Sequence, residues 1–119
     1  MTKQELLQRT KTYALRVIKA VRASPKDDVA DVLGRQLLRS GTSVGANYRA
    51  ACRAKSSADF LNKLKIVEEE CDESLFWMEL LVESETLPLR RLEALMQEGN
   101  EILSIIVSAI KSTRAARPA

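Results

Sequence analysis

The fold of this chain is decided by residues 39–73, which read RSGTSVGANYRAACRAKSSADFLNKLKIVEEECDE. The stretch begins with small residues, becomes basic, and continues after the serine pair at 56–57 as an acidic and apolar segment. Gly41 and Gly45 are four residues apart, so on a helix they share a face and let another backbone approach closely. Each glycine costs about 1 kcal/mol of helix propensity relative to alanine, which close packing must offset. The alternative interpretation is a Gly/Ser loop that breaks the helix.

A new helix is predicted to start at the serine pair. Ser56 and Asp59 have the spacing of a capping box, with Asp in place of the usual Glu. Apolar residues then recur at three- and four-residue steps, which indicates one continuous helical stripe. The members of this stripe are Phe60, Leu64, Val67, Cys71, Leu75, Met78 and Leu81. The connection before it is so short that the two flanking helices are expected to be antiparallel neighbours.

The hairpin also predicts which residues lie opposite each other. With the turn centred near Ser56, small residues of the second helix are expected to meet bulkier residues of the third, and a basic residue is expected to meet an acidic one. The expected partners are Gly45 with Val67, Gly41 with Cys71, and Arg39 with Glu73. This pairing favours a continuous helix over the Gly/Ser loop, because it gives the glycines a surface to pack against.

The same stretch resembles a known family. A small-residue helix with Asn, a basic residue, a Ser-rich turn, Asp-Phe and an acidic, apolar helix are similar to the 23S ribosomal RNA intervening-sequence family. The matching positions are Arg39, Ser40, Ser43, Val44, Asn47, Arg53, Ser57, Asp59, Phe60, Leu64 and Glu73. The family pattern continues Asn-Ile-Ala-Glu-Gly, whereas Asn47 is followed here by the sequence YRAA, so the family's glutamate and glycine are missing.

The resemblance implies a fold, an assembly and a partner. Members of the family are up-and-down four-helix bundles, often assembled as a ring of five, and their open reading frames can lie inside ribosomal RNA genes. The resemblance therefore implies a homo-oligomer, with a pentamer as the expected form, and an association with nucleic acid. The residues expected to carry structural roles are Arg39, Gly41, Gly45, Asn47 and Glu73.

The rest of the chain predicts a single domain of four helices. The helices are expected at about residues 2–23, 27–54, 57–84 and 89–114 of a domain spanning 1–119, with a frayed tail at 115–119. Thr2 and Glu5 have capping-box spacing, while Pro25 and Pro88 interrupt the helical pattern. The apolar stripe of the second helix starts at Val29. The predicted fold class is all-α, an antiparallel up-and-down four-helix bundle.

The composition argues against catalysis. The chain of 119 residues contains no histidine, so it lacks the base of a His-dependent triad and the Glu-x-x-His ligands of a di-iron bundle. In the hairpin register Cys52 and Cys71 are offset by roughly 16 Å, which is too far for a disulfide. Glu69 and Glu73 share a helix face, but no second helix offers matching carboxylates. We expect no enzyme activity, cofactor, metal site or small-molecule substrate.

The chain is expected to be cytoplasmic. No stretch of eighteen consecutive apolar residues is present, which predicts no membrane-spanning helix. The segment from Met1 to Arg9 is charged and lacks the apolar core of a secretory signal. Aromatic residues make up only 4% of the chain, so aliphatic side chains must fill the core between the helices.

Several apolar residues fall outside the stripes that are predicted to face the core. One bundle needs an apolar stripe about 100° wide on each helix, and a wider surface indicates a second contact, most simply another copy of the chain. The alternative is a broad stripe within one monomer. The residues predicted to form an oligomer interface are Ile66, Trp77, Leu80, Ile102 and Ile105. Trp77 is the expected anchor, since tryptophan is enriched where binding energy concentrates.

Charge is distributed unevenly along the chain. Residues 1–55 contain twelve basic and four acidic residues, residues 56–85 contain two basic and nine acidic ones, and the whole chain carries +3. Either the basic and acidic helices neutralise each other, or the basic surface meets phosphate. The predicted nucleic-acid contacts are Arg9, Arg16, Lys19, Arg22, Arg49, Arg53 and Lys55. The alternative function is an oligomeric scaffold for protein partners without a nucleic-acid role.

Overall fold

The chain forms four antiparallel helices, connected up-and-down by short turns. The computed structural model describes residues 1–116 and contains α1 at Lys3–Arg22, α2 at Asp28–Cys52, α3 at Ser57–Glu83 and α4 at Leu89–Ala116. The predicted all-α bundle is confirmed, and each helix begins and ends within two residues of its predicted limits. A frayed tail was predicted at 115–119, but α4 still includes Ala116. Residues 117–119 lie outside the described residues.

Side-chain caps set the starts of the first three helices. Thr2 and Glu5 form the complete capping box predicted for α1, and Asp27 accepts from the amide of Ala30 at 2.8 Å at the start of α2. Ser56 accepts from the amide of Asp59 at 3.0 Å at the start of α3. No return bond from Asp59 accompanies it within residues 1–116. Aspartate is one methylene shorter than the usual glutamate, so only half of the predicted box forms.

Gly41 and Gly45 lie inside a continuous helix, so the Gly/Ser loop is ruled out. Their predicted neighbours are wrong, however, because both glycines face α1 and not α3. A Cβ added at Gly41 would lie 2.8 Å from Val17, and one added at Gly45 would lie 3.2 Å from the Thr10 carbonyl oxygen. The hairpin register sets which residues are at the same height. It does not decide which side of α2 faces which neighbour.

Ion pairs lie along the outer edge between α2 and α3, and Arg39 is paired with Glu73 as predicted. Its guanidinium pairs with the carboxylate of Glu73 and reaches Glu70 at 3.1 Å. Trp77 Nε1 donates to the same Glu73 carboxylate at 3.2 Å. Asn47, which was predicted to be structural, donates its amide to the Ser43 carbonyl one turn earlier in α2 at 2.9 Å.

A short polar chain crosses the core where α1, α3 and α4 meet. Ser74 Oγ donates to the Cys71 carbonyl at 2.7 Å, which leaves it free to accept from the Tyr13 hydroxyl at 2.8 Å. The Cys71 thiol donates to the Gly99 carbonyl of α4 at 3.3 Å. A Cβ at Gly99 would lie 2.8 Å from the Tyr13 hydroxyl, so the absence of a side chain there makes room for the tyrosine.

The predicted core stripe of α2 is too long at its beginning. Val29 was expected to face inward, but it is 52% exposed, and the buried residues of that end are Ala30, Gly34 and Leu37. Val29 belongs to the first turn of α2, beside the turn from α1, where the neighbouring helices do not cover every side. Periodicity predicts which face turns inward, whereas the depth of burial depends on how far the neighbouring helices extend.

Candidate nucleic-acid interface

An open groove runs along the outer side of the contact between α1 and α2. It has a volume of about 600 Å³. The residues that line it are Lys3, Gln4, Leu7, Gln8, Lys11 and Ala14 from α1, and Thr42, Gly45, Ala46, Arg49, Cys52 and Arg53 from α2 and its C-cap. On each side the lining positions recur at three- and four-residue steps, so each set forms one helix face. The groove is therefore bounded by two opposed helix faces.

Small residues bring the two sides of the groove together. Gly45 lies against the Thr10 carbonyl, and a Cβ at Gly34 would lie 3.5 Å from Val21 further along the same contact. Because the backbones approach each other closely, Ala14 and Ala46 are left at the surface of the groove with little bulk above them. The result is a shallow apolar floor between longer polar side chains.

Four cations share this groove. Lys3 and Lys11 come from α1, Arg49 and Arg53 come from the end of α2, and all four are exposed. None of the lining residues carries a carboxylate, and none of these four side chains makes an ion pair with another residue between 1 and 116. The groove is thus a concentration of positive charge that the described part of the chain does not neutralise.

A second hollow of about 440 Å³ extends the basic surface around the turn between α2 and α3. It shares Lys3 and Cys52 with the groove and adds Lys55 and Phe60. Tyr48 also lines the hollow, and its pKa is raised to about 12, chiefly by burial and further by the neighbouring Cys52. Its phenol is therefore neutral at physiological pH and adds no negative charge to this surface.

Arg9, one of the predicted nucleic-acid contacts, is engaged in ion pairs within the bundle. Arg9 forms a bidentate pair with Glu98 of α4, with both nitrogen–oxygen distances at 2.7 Å, and reaches Glu101 at 3.3 Å. The side chains of Arg9 and Glu98 are 24% and 18% exposed. The hydrogen bonds from Arg9 hold the pKa of Glu98 below its ordinary value despite its partial burial. This pair could not be predicted from sequence spacing, because 89 residues separate its members.

The other predicted cations lie in three places. Arg49, Arg53 and Lys55 lie together beside the turn after α2, as their spacing suggested. Arg16 is half-buried, and its charge also lowers the pKa of Glu98, so it belongs to the side of α1 that faces α4. Lys19 is exposed in the last turn of α1, with Arg22 at the end of that turn.

Sequence reasoning missed Lys3 and Lys11 as members of the site. Neither was among the predicted nucleic-acid contacts. A signal was present, since Lys3 and Lys11 flank Leu7 at four-residue steps, and Arg49 and Arg53 follow the same spacing. The two sets could be brought together only by knowing that the glycines of α2 face α1.

One residue predicted for the oligomer interface is buried in the core, and one exposed aromatic residue was not predicted. Ile102 is fully buried in the core, so its prediction as an interface residue is wrong. Ile66 is 37% exposed, whereas Trp77, Leu80 and Ile105 are half-buried. Phe76, which was not predicted, is 50% exposed and packs edge-on against Trp77 at 5.2 Å between ring centroids. An exposed apolar surface thus follows the outer side of α3.

The thiols and acidic residues do not form a reactive or metal-binding cluster. Both cysteines are free, and burial raises the pKa of Cys71 to about 12, which keeps its thiol protonated. Between residues 1 and 116, no group of three or more acidic or cysteine side chains is arranged to hold a metal ion. In the same range, every helix is either too short or too polar to cross a membrane.

Fold and groove together define the class as a small antiparallel four-helix bundle with a basic surface between its first two helices. The chain matches the model of a family described as 23S rRNA-intervening sequence protein over residues 2–108. It belongs to this family, which confirms the resemblance carried by residues 39–73. No curated protein matches the chain.

A solved structure supports the same assignment. The chain is similar to the crystal structure of a protein of unknown function from the S23 ribosomal protein family of Bacteroides thetaiotaomicron. The two share 34% sequence identity with a TM-score of 0.85, over 93% of this chain and 99% of that one. The similarity therefore extends across all four helices.

Proposed function

We propose that this protein is a non-enzymatic, homo-oligomeric bundle of the cytoplasm that binds RNA or DNA through phosphate groups. One observation carries the proposal: four cations line the groove between α1 and α2 without a carboxylate among the lining residues. Cations that replace the counterions of phosphates gain free energy from counterion release. The family's description as a 23S rRNA-intervening sequence protein adds independent support for a nucleic-acid context.

The groove favours phosphate contact over base reading. Lys3 and Lys11 supply point charges, whereas the guanidinium groups of Arg49 and Arg53 can hold a phosphate with two parallel hydrogen bonds. Contacts of this kind position a nucleic acid without reading its sequence. We therefore expect broad sequence tolerance and a strong dependence of affinity on salt.

An oligomer would multiply these weak contacts. The exposed Phe76 and Ile66, with the half-buried Leu80 and Trp77 beside them, are the residues we propose for the contact between copies. In the ring of five that the family resemblance implies, each copy contributes its own groove to one long nucleic acid, and the contacts add by avidity.

Binding of a fluorescent RNA of about 20 nucleotides, measured by anisotropy between 50 and 200 mM salt, tests the nucleic-acid role. We expect log K to fall linearly with log salt, because each phosphate contact contributes a slope of roughly −0.7 to −0.9. The double variant Arg49→Glu, Arg53→Glu is expected to bind at least ~10-fold more weakly and with a shallower slope. An affinity that stays flat across this salt range would overturn the proposal.

The matched control is the double variant Lys19→Glu, Arg22→Glu. Both pairs of cations lie at the ends of helices, so their reversal costs similar helix-terminus interactions. The two variants carry the same net charge, and only one alters the groove. Equal weakening in both variants would show a general charge effect and would contradict the assignment to the groove.

The scaffold function is the second candidate, and the exposure of Phe76 favours it. Light scattering of the intact protein measures the assembly, since a monomer has a mass of 13.3 kDa. We expect several copies in the wild type and a smaller mass for Phe76→Ser. Retained assembly in a protein that binds neither RNA nor DNA would favour the scaffold, whereas a monomeric wild type would contradict both oligomeric functions.

A further inference from the structure

We infer that the groove between α1 and α2 holds a single strand of RNA or DNA in preference to a duplex. This inference rests on the proposed function and goes further, because it assigns the form of the nucleic acid from the composition of the groove. The groove combines two features, a cationic rim and an apolar floor, and only one of them suits a duplex.

The cationic rim lies on both sides of the groove. Lys3 and Lys11 extend from α1, and Arg49 and Arg53 extend from α2. The lining of α1 runs from residue 3 to residue 14, which corresponds to roughly 16 Å at 1.5 Å per residue. A stacked strand advances about 3.4 Å per nucleotide and an unstacked strand advances further, so this length accommodates at most about five nucleotides.

The floor between these cations is apolar and small. Leu7, Ala14 and Ala46 line it together with Gly45, where the closely packed backbones leave little side-chain bulk. A surface of this kind gains free energy by covering apolar groups, such as the faces of unstacked bases. It contributes no favourable free energy to the binding of a phosphate group alone.

A duplex satisfies only part of this site. Its base faces are stacked inside, so it presents the sugar-phosphate backbone and leaves the apolar floor in water. Packed helices have axes about 8–10 Å apart, so the groove between the two helix faces is narrow. A single strand is thin enough to enter, and it offers phosphates to the rim and base faces to the floor.

The groove also predicts the character of the binding. Aromatic side chains are absent from its lining, all of which lies within the described chain, so it provides no stacking platform of the kind that gives tight single-strand binding. Each groove should therefore bind weakly and without sequence preference. Four phosphate contacts predict a salt slope of about −3 for one groove and a single strand.

The test compares the affinity for a 12-nucleotide oligouridine with the affinity for a 12-nucleotide RNA hairpin whose stem is base-paired. Both affinities are measured by fluorescence anisotropy at one salt concentration. We expect at least about 10-fold tighter binding of the single strand. The variant Ala46→Gln replaces part of the floor without changing charge, and it is expected to weaken oligouridine binding several-fold and hairpin binding by a smaller factor. Because Ala46 is exposed on α2, this variant should fold normally.

The matched control is Ala94→Gln, which makes the same substitution at an exposed position of α4 outside the groove. Unchanged binding in Ala94→Gln together with weaker oligouridine binding in Ala46→Gln supports the inference. Equal or tighter binding of the hairpin, still weakened by Arg49→Glu, overturns the single-strand inference and leaves the proposed function intact. Absence of binding to either RNA, and to DNA, overturns both.

Discussion

The two contacts that α2 makes with its neighbours differ in how the helices approach and in where the charge goes. Toward α1 the approach is set by glycines, which meet Val21, Val17 and the Thr10 backbone. Toward α3 the outer edge carries the ion pairs from Arg39 to Glu70 and Glu73. One contact depends on close backbones, and the other is bordered by neutralised charge.

The difference separates cations that stabilise the fold from cations available to a partner. Arg39 lies beside an acidic helix, so its charge is neutralised within the bundle. Arg49 and Arg53 lie beside the basic first turns of α1, where no carboxylate lines the groove within the described residues. The same helix thus carries both kinds of basic residue, and the identity of the neighbouring helix decides which kind each one is.

The largest expected effect concerns the two thiols, one of which lies at the groove beside α2 and the other in the core of the bundle. Cys52 lines the groove, whereas Cys71 is buried in α3 with its pKa raised to about 12 from an ordinary value of 9.0. At neutral pH this shift reduces the thiolate of Cys71 by about a thousandfold relative to an ordinary cysteine. We expect one thiol to react quickly with a chromogenic disulfide reagent and the other only on unfolding.

The substitution Cys52→Ser identifies the fast thiol, because it should remove the rapid phase and leave the slow one. Bound oligouridine should slow the rapid phase if the nucleic acid lies in the groove. A rapid phase that survives in Cys52→Ser would show that the core around Cys71 opens easily, and the contrast between the open groove and the closed core would then fail.

The next effect tests the close contact directly. Gly41→Ala places a Cβ 2.8 Å from Val17, whose short branched side chain cannot move aside. Overpacking of this kind costs typically 1–3 kcal/mol, which exceeds the roughly 1 kcal/mol gained in helix propensity. We expect a net loss of up to about 2 kcal/mol in the free energy of unfolding, measured by denaturant titration.

Gly34→Ala is the matched control in the same helix and the same contact. Its Cβ would lie 3.5 Å from Val21, an ordinary contact distance, so the gain in propensity should remain. We expect this variant to be unchanged or more stable by up to about 1 kcal/mol. Equal destabilisation of both variants would mean that the α1–α2 contact is tightly packed along its whole length and not only around Gly41.

A smaller effect concerns the pair that joins α1 to α4. Because the folded-state pKa of Glu98 is lowered, its stabilising contribution is complete above its unfolded value of 4.5 and is lost as pH falls through the folded value. Glu98→Gln should therefore reduce stability by about 1 kcal/mol at pH 7 and by less under acidic conditions. Glu93→Gln, at an exposed position of α4, should show neither effect.

Chemical denaturation at a series of pH values between 3 and 7 measures this difference. The curves of wild type and Glu98→Gln should converge at low pH, because protonated Glu98 and the amide are both neutral. A difference that grows as the pH falls would contradict the assignment of the pair to Arg9.

The sequence predicted the fold well because local rules decide it. The capping residues Thr2 and Ser56 and the apolar steps of α3 depend on neighbours three or four residues away, so their outcome could be derived without knowing the tertiary packing. The antiparallel hairpin at Ser56 follows from the short connection, and it placed Arg39 beside Glu73 correctly.

The site could be predicted only in part, because it depends on which side of each helix meets which neighbour. The spacing of Arg49 and Arg53 identified half of the groove, but the other half needed the contact of Gly45 with Thr10. Likewise, Arg9 and Ile102 looked available on helical periodicity alone. Their partners, Glu98 and the surrounding core, come from helices distant in sequence.

The smallest expected effect is at Arg39, where the exposed pairs border the α2–α3 contact. Arg39→Gln should lower the melting temperature slightly at low salt, since exposed ion pairs are weak and screened. The difference from wild type should vanish at 1 M salt, where the Debye length is about 3 Å. Arg35→Gln is the control, because Arg35 is exposed on α2 and makes no ion pair with residues 1–116.

The relative size of this effect decides what holds α2 in place. If close packing of the glycines dominates, Gly41→Ala must destabilise the protein more than Arg39→Gln at every salt concentration. If Arg39→Gln proves the more damaging variant, the ion pairs with Glu70 and Glu73 are essential to the fold and not merely its border. Neutralised charge at the α2–α3 contact, and not close packing against α1, would then hold α2 in place.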